Sequence, residues 1–453
     1  MFFDKVIENG LVPDLENGML RNANIGVTKN KICAVTSSKL KGKSHIDAQG
    51  QIVAAGFIDI HGHVDGNFYS SELSLRQGIT TTVGGNCGSS PINLQDFFTA
   101  QEESPRAINQ VELFGMTSSL RLHVGGIKPL QPATSAQLKQ MKYLTEKAFY
   151  EGAAGLSIGL AYAPATSEEE IYTLSSIAAK YGRIITVDTR MFTPLDLYSL
   201  VEVIRLGKKL NSRVQVSHFV YQYGTGLVEE ALSAIDKARS SGVDIRLDSG
   251  MYTQWATGLR AVLFDEDYLS ENKWALEDIL IITGEHKGKR LNSSLYKELR
   301  QNNDPSVMTS VVVFTGIEDE IYKALLHPLC MPSTDIGRYK PGEGHPQIAG
   351  SFPRYFTKLV REKKMLSLCE AIRKATFLPA QTIGVKNKGL IKEGYDADIV
   401  IFDIEKIKDN AWFLPEAKPD APPDGISHVF VNGELALENG IIKNGEAGKV
   451  IRF

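Results

Sequence analysis

The chain has 453 residues, 43% hydrophobic and 23% charged, with 50 Lys+Arg against 53 Asp+Glu. That much apolar material excludes a disordered chain, and a net charge of −3 leaves no basic excess for nucleic acid. No apolar run approaches the ~20 residues that cross a bilayer, Asp4 and Lys5 carry charge where a signal peptide needs its apolar region, and Cys33, Cys87, Cys330 and Cys369 are too few for a disulfide framework, so a cytoplasmic protein with reduced thiols and neither a membrane nor a nucleic-acid partner is expected.

Residues 1–54 read as short strands separated by turn clusters at Asn9-Gly10, Glu16-Asn17-Gly18 and Asp47-Ala48-Gln49-Gly50. Residues 381–453 have the same character, with Asp398-Ile399-Val400-Ile401-Phe402 and His428-Val429-Phe430-Val431 between Asn-Gly turns. Neither end closes a core alone, so both are expected to join in one small β domain. Between them, apolar runs at 58–60, 183–187, 213–217 and 243–247 precede helical stretches at 168–181, 194–210 and 227–241. Strand, loop and helix in alternation mean βα units on a parallel sheet. Over residues 55–380 this predicts an α/β fold, a (β/α)8 TIM-like barrel, with an insertion around 260–330 where the alternation lapses. Pro415 to Pro423 reads as a stiff exposed linker or lid.

In such a barrel the chemistry sits at the C-terminal ends of the strands. Gly56-Phe57-Ile58-Asp59-Ile60-His61-Gly62-His63 ends an apolar strand in His-x-His. Residues i and i+2 of extended chain point the same way, so both imidazoles converge, and imidazole is the commonest metal ligand. Thr80-Thr81-Thr82-Val83-Gly84-Gly85-Asn86-Cys87 carries a strand into a Gly-rich turn that presents a thiol, a good zinc ligand as thiolate. Three further runs end in Asp188, His218 and Asp335. Together these residues suit one or two divalent ions, with a spare carboxylate to shuttle protons. His123 is a weaker candidate. No Gly-x-Gly-x-x-Gly follows a strand and no Gly-Lys-Ser/Thr loop is present, so nucleotide binding is not expected.

The opening His-x-His segment resembles that of the amidohydrolase superfamily. So does Gly389-Leu390-Ile391-Lys392-Glu393-Gly394-Tyr395-Asp396-Ala397-Asp398, which resembles the re-entry into its N-terminal β domain. Gly85-Asn86-Cys87-Gly88, Gly155-Leu156-Ser157-Ile158-Gly159, Val216-Ser217-His218, Gly344-His345-Pro346 and Phe352-Pro353-Arg354 are similar to the N-acyl-D-amino-acid deacylase (D-aminoacylase) family. The resemblance implies a metal-dependent barrel with a β-sandwich. It implies hydrolysis of a small-molecule amide at a non-peptide C–N bond, with Zn2+ or another divalent metal as cofactor. Carried over, His61 and His63 match the weaker metal site, Cys87 and His218 the tighter one, and Asp335 the acid/base.

The chain departs from that pattern in four places. Asp188 stands where the family has a ligand His. Val220 and Gln347 replace the Lys and Arg that hold a substrate carboxylate. Only Tyr252 remains of a Tyr-Pro-Tyr segment. Arg190, Tyr252 and His345 are therefore expected to meet substrate, with Arg338 and Lys340 as other sources of a relocated cation. A cyclic amidase of the dihydropyrimidinase, hydantoinase or dihydroorotase kind is the alternative substrate reading, and a non-catalytic barrel is the alternative class. A homo-oligomer is compatible with either.

Overall fold

A computed structural model describes residues 1–191, 197–302 and 309–453. Eight parallel strand positions form the barrel wall. In chain order they are Phe57–Asp59, Ile79–Gly84, Asn109–Glu112 continued by Phe114–Gly115, Gly155–Gly159, Ile184–Asp188, Val214–Val216, Ile245–Ser249 and Cys330–Pro332. Their side chains are buried almost throughout, as expected of strands covered on both faces. The seam between the last strand and the first is closed by single bonds. Asp335 N–H donates to the His61 carbonyl (2.8 Å), and His63 N–H donates to the Ile336 carbonyl (2.8 Å). Buried Asp59 adds a latch, accepting from the Thr334 N–H (3.0 Å) and hydroxyl (2.5 Å). The latch fixes the loop that carries Asp335 to the strand that carries His61 and His63.

The helices behind the wall lie close to their expected positions, at Glu168–Lys180, Tyr198–Leu210 and Val228–Ser240. The expected start of the second, at Pro194, lies outside the described residues. The insertion is a small antiparallel sheet of Gln254–Gly258, Ser310–Phe314 and Ile279–Ile281, with short helices around it.

A nine-stranded sheet takes Phe2–Asp14, Met19–Thr28, Lys31–Thr36, Lys41–Asp47 and Ile52–Ala55 from one end of the chain, and Ile399–Phe402, Ile426–Val431, Glu434–Glu438 and Ile441–Ile442 from the other. We propose residues 1–54 with 381–453 as this β-rich domain and 55–380 as the barrel. Three details differ from the sequence expectation. Asn9-Gly10 is a register shift within one 13-residue strand, because that strand is paired with Met19–Thr28 on one side and Lys41–Asp47 on the other. The terminal strand Val450–Ile451 leaves the domain and pairs in parallel with Asn109–Glu112 of the barrel. Pro415 to Pro423 is pinned rather than free, since Asp420 accepts from the Tyr69 hydroxyl (2.7 Å) and the Gly342 N–H (2.6 Å).

A buried polar joint ties the domain to the barrel. Asp398 accepts from Lys388 Nζ, from Asn432 N–H (2.7 Å) and from Asn109 Nδ2 (3.2 Å), and Lys388 also meets Asp396 (3.1 Å). Removing one partner of such a pair leaves a buried charge uncompensated. Lys388→Met is therefore expected to cost about 3–5 kcal/mol of stability, read as a lower urea midpoint. Among the described residues no helix is long and apolar enough to cross a membrane.

Candidate active site

Five strand ends deliver one cluster. The Nε2 atoms of His61 and His218 lie 3.3 and 3.4 Å from Cys87 Sγ. Asp335 Oδ1 lies 3.2 Å from His63 Nε2 and 3.6 Å from His61 Nε2, and Asp188 Oδ1 lies 3.8 Å from His218 Nε2. The donor atoms of His61, His63, Cys87 and Asp335 fall within 4.8 Å of one another, as do those of Cys87, Asp188 and His218. Cys87 belongs to both groups and stands between them.

The backbone is bent to present these side chains. Cys87 (φ 51°), His218 (φ 32°) and Asp335 (φ 48°) all occupy left-handed conformations, which cost non-glycine residues energy and gather at functional sites. The Cys87 turn also needs its glycines. A Cβ on Gly85 would lie 2.2 Å from the Leu113 carbonyl oxygen, and one on Gly88 would lie 1.8 Å from Thr117 Oγ1.

The electrostatics call for a cation. Burial first, then the carboxylates of Asp188, Asp335 and Asp248, push the Cys87 thiol well above its usual range. Burial likewise raises Asp188, whose Oδ2 is buried with no hydrogen-bond partner among the described residues. Burial opposes ionisation of Asp335, but the His63 hydrogen bond and the His61, His63 and His218 charges outweigh it and hold the carboxyl at about 2. A thiol shared by two donor groups, with two imidazoles in one and an imidazole and an unpartnered carboxylate oxygen in the other, fits one or two divalent ions, which would neutralise the charge that penalises them.

Asp248, unnoticed in the sequence, orients the cluster from behind. It faces His61 Nδ1 at 3.3 Å and accepts from His218 N–H (3.0 Å), Ser333 Oγ (2.9 Å) and Gln215 Nε2 (2.7 Å). A carboxylate on the far nitrogen of a ligand imidazole sets its tautomer and basicity. Its signal was present: it ends an apolar strand just as Asp188 does, but that strand runs two residues past its expected end at Leu247. Asp248→Asn is expected to weaken divalent-metal affinity by about 10–100-fold, measured by competition with a chromogenic chelator.

Three expected substrate residues stand further off. Arg190 is corrected outright: its guanidinium is bound to Glu202 (2.8 and 3.0 Å), to the Thr166 carbonyl (2.7 Å) and to the Pro164 carbonyl, and it packs toward the helices at 168–180 and 198–210. Tyr252 is fully buried, donates to Asp409 (2.7 Å) and stands edge-on to His345 at 5.1 Å. His345 is buried behind the centre, and burial holds it neutral, at about 3; its Nδ1 accepts from the Gln347 N–H (3.0 Å). His123 is exposed on a short helix and takes no part. The replaced positions are neutral and occupied. Val220 is buried. Gln347 donates to the Asp335 carbonyl (2.6 Å) and accepts from the Tyr221 hydroxyl (3.1 Å).

Residues 334–436 match the model of the amidohydrolase family. The chain is 30% identical to the N-acyl-D-glutamate deacylase of Alcaligenes xylosoxydans xylosoxydans over 86% of its own length and 84% of the relative's. It belongs to the N-acyl-D-amino-acid deacylase family of amidohydrolases. Solved structures of that family superpose over their whole length. An N-acyl-D-glutamate deacylase from Bordetella bronchiseptica, complexed with zinc and a phosphonate mimic of the tetrahedral intermediate, has a TM-score of 0.87 at 27% identity, with 100% of both chains covered. A D-aminoacylase described by its binuclear metal centre has a TM-score of 0.84 at 27% identity, again with 100% of both chains covered. Like its family, this chain is a metal-dependent hydrolase of carbon–nitrogen bonds other than peptide bonds, and the non-catalytic reading falls away.

Proposed function

We propose that the chain deacylates N-acyl-D-amino acids or closely related amides, with His61, His63, Cys87, Asp188 and His218 as metal ligands and Asp335 as acid/base. The observation that carries this reading is the gathering of those six side chains into two adjoining donor groups that share Cys87, at the C-terminal ends of the barrel strands. A divalent ion held there, with zinc favoured by thiolate and imidazole, supplies Lewis acidity for the acyl carbonyl and the attacking water.

The chain's own groups do the rest. Asp335 is ionised at neutral pH and so begins as the base. Its Oδ1 takes the proton of the attacking water and then returns it to the departing nitrogen. His63 Nε2 lies 3.2 Å from the same oxygen, so the carboxylate stands beside the ion that His63 would help to hold. Tyr221 and Gln347 fix the Asp335 loop from the other side. Arg338 and Lys340 follow Asp335 on the same loop and are exposed. With Arg190 committed to Glu202, they are the cations in this reading that meet a substrate carboxylate.

The test is amine release from paired N-acetyl-D- and N-acetyl-L-amino acids with Zn2+ supplied. Release from the D series alone is expected. Silence from protein that holds metal would move the substrate to cyclic or uncharged amides.

A further inference from the structure

We propose that a cavity beside Tyr221 is the subsite for the amino-acid side chain of the substrate, and that it takes an uncharged aromatic or branched aliphatic group. This rests on the deacylase reading above and adds the side-chain class to it. The cavity has a volume of about 310 Å3, at the small end of ligand pockets. Among the described residues its walls include Met191, Tyr221, Gln222, Trp274, Val313 and Phe314.

Its position links it to the chemistry. The Tyr221 ring stacks on the His218 imidazole at 5.4 Å, and the Tyr221 hydroxyl reaches Asp335 through Gln347. Met191 lies on the loop that follows Asp188. One wall is therefore a single side chain away from both a proposed ligand and the proposed acid/base. Trp274, Val313 and Phe314 come from the insertion between barrel strands, so that segment shapes the pocket.

The lining chemistry sets the class of ligand. Met191, Trp274, Val313 and Phe314, joined by the Tyr221 ring, give the cavity an apolar and aromatic side, while Gln222, Thr225, Asn272 and Thr315 line it with neutral polar groups, and aromatic faces recognise aromatic or branched groups by contact area. Gln222 is buried, and its Oε1 has no hydrogen-bond partner among the described residues. An unmade bond at a buried amide is costly, and a neutral N–H or O–H donor on the ligand would satisfy it. The charged lining residues, Lys273 and Asp278, are exposed and of opposite sign. Arg290 stacks its guanidinium on Phe314 at 4.4 Å and donates to the Asp278 carbonyl (2.8 Å). Among the described residues the lining cation, Lys273, is exposed and shares the lining with an opposite charge at Asp278, so a carboxylate side chain would enter the cavity without a dedicated buried cation, at a desolvation cost. This sets the chain apart from relatives named for glutamate and aspartate.

The test compares kcat/KM for the N-acetyl derivatives of D-phenylalanine, D-leucine, D-alanine, D-glutamate and D-aspartate. Phenylalanine and leucine are expected to exceed glutamate and aspartate by about tenfold or more. In Trp274→Ala the ratio of kcat/KM for phenylalanine over alanine should fall by about tenfold. Preference for an acidic side chain, or an unchanged ratio in Trp274→Ala, would overturn the proposal. If no N-acyl-D-amino acid is hydrolysed, the deacylase reading fails by itself, and binding decides the subsite. Calorimetry with N-acetyl-D-phenylalaninamide should show weaker binding to Trp274→Ala than to the unmodified protein. Equal binding to both would remove the subsite.

Discussion

Asp335→Asn is expected to lower kcat by about 10²–10⁴-fold while the ion at Cys87, Asp188 and His218 stays bound. The amide keeps the volume of the carboxyl, and the loop is held by bonds that do not involve the side chain. The Asp335 N–H still reaches the His61 carbonyl, Gln347 still reaches the Asp335 carbonyl, and Asp59 still holds Thr334. What is lost is the proton acceptor beside His63. Steady-state kinetics together with metal analysis on the same preparation separate the two effects. A variant that retains near-normal kcat would show that another group moves the proton, and one that loses all its metal would show that Asp335 is chiefly a ligand.

His218→Ala should have the other large effect, and it should act on binding first. Its Nε2 is the imidazole contribution to the group formed with Cys87 and Asp188. Without it, two anionic donors remain in a buried place with no neutral ligand to complete the set. The affinity for Zn2+ should fall by more than the ~10–100-fold expected for a change in an outer partner such as Asp248, and turnover should be lost with it. Because His218 N–H also bonds Asp248 through the backbone, the strand end itself should survive, and circular dichroism should match the parent. Tight zinc binding in this variant would remove His218 from the ligand set.

The barrel was legible because its strands are apolar runs followed by amphipathic helices, a pattern that needs no partner to be seen. The cluster was legible because polar residues interrupt those runs at their C-terminal ends. The failures have a common cause, which is contact with a remote segment. Arg190 lies two residues past the strand end at Asp188, but Glu202 on the following helix captures its guanidinium. Nothing in the local pattern distinguishes a captured cation from a free one. Asp248 has the strand-end signal yet gains its role only from the His61 ring and the His218 N–H. Asn9-Gly10 has the composition of a turn, and Asn9 is left-handed (φ 55°), but pairing on both edges takes it up as a bulge and the strand continues past it. Val450–Ile451 is too short to announce a strand, and its place in the barrel depends on Asn109–Glu112.

The proposed chemistry needs Cys87, Asp188 and His218, with His61 and His63 alongside, to hold a divalent ion next to Asp335. Titration of the metal-free protein with Co2+, followed by absorption spectroscopy, tests it most directly, because a thiolate bound to cobalt gives a charge-transfer band that oxygen and nitrogen ligands do not. This band is expected to grow to saturation in the parent and to be absent in Cys87→Ser. A parent protein that binds no cobalt, or binds it without the thiolate band, would contradict it.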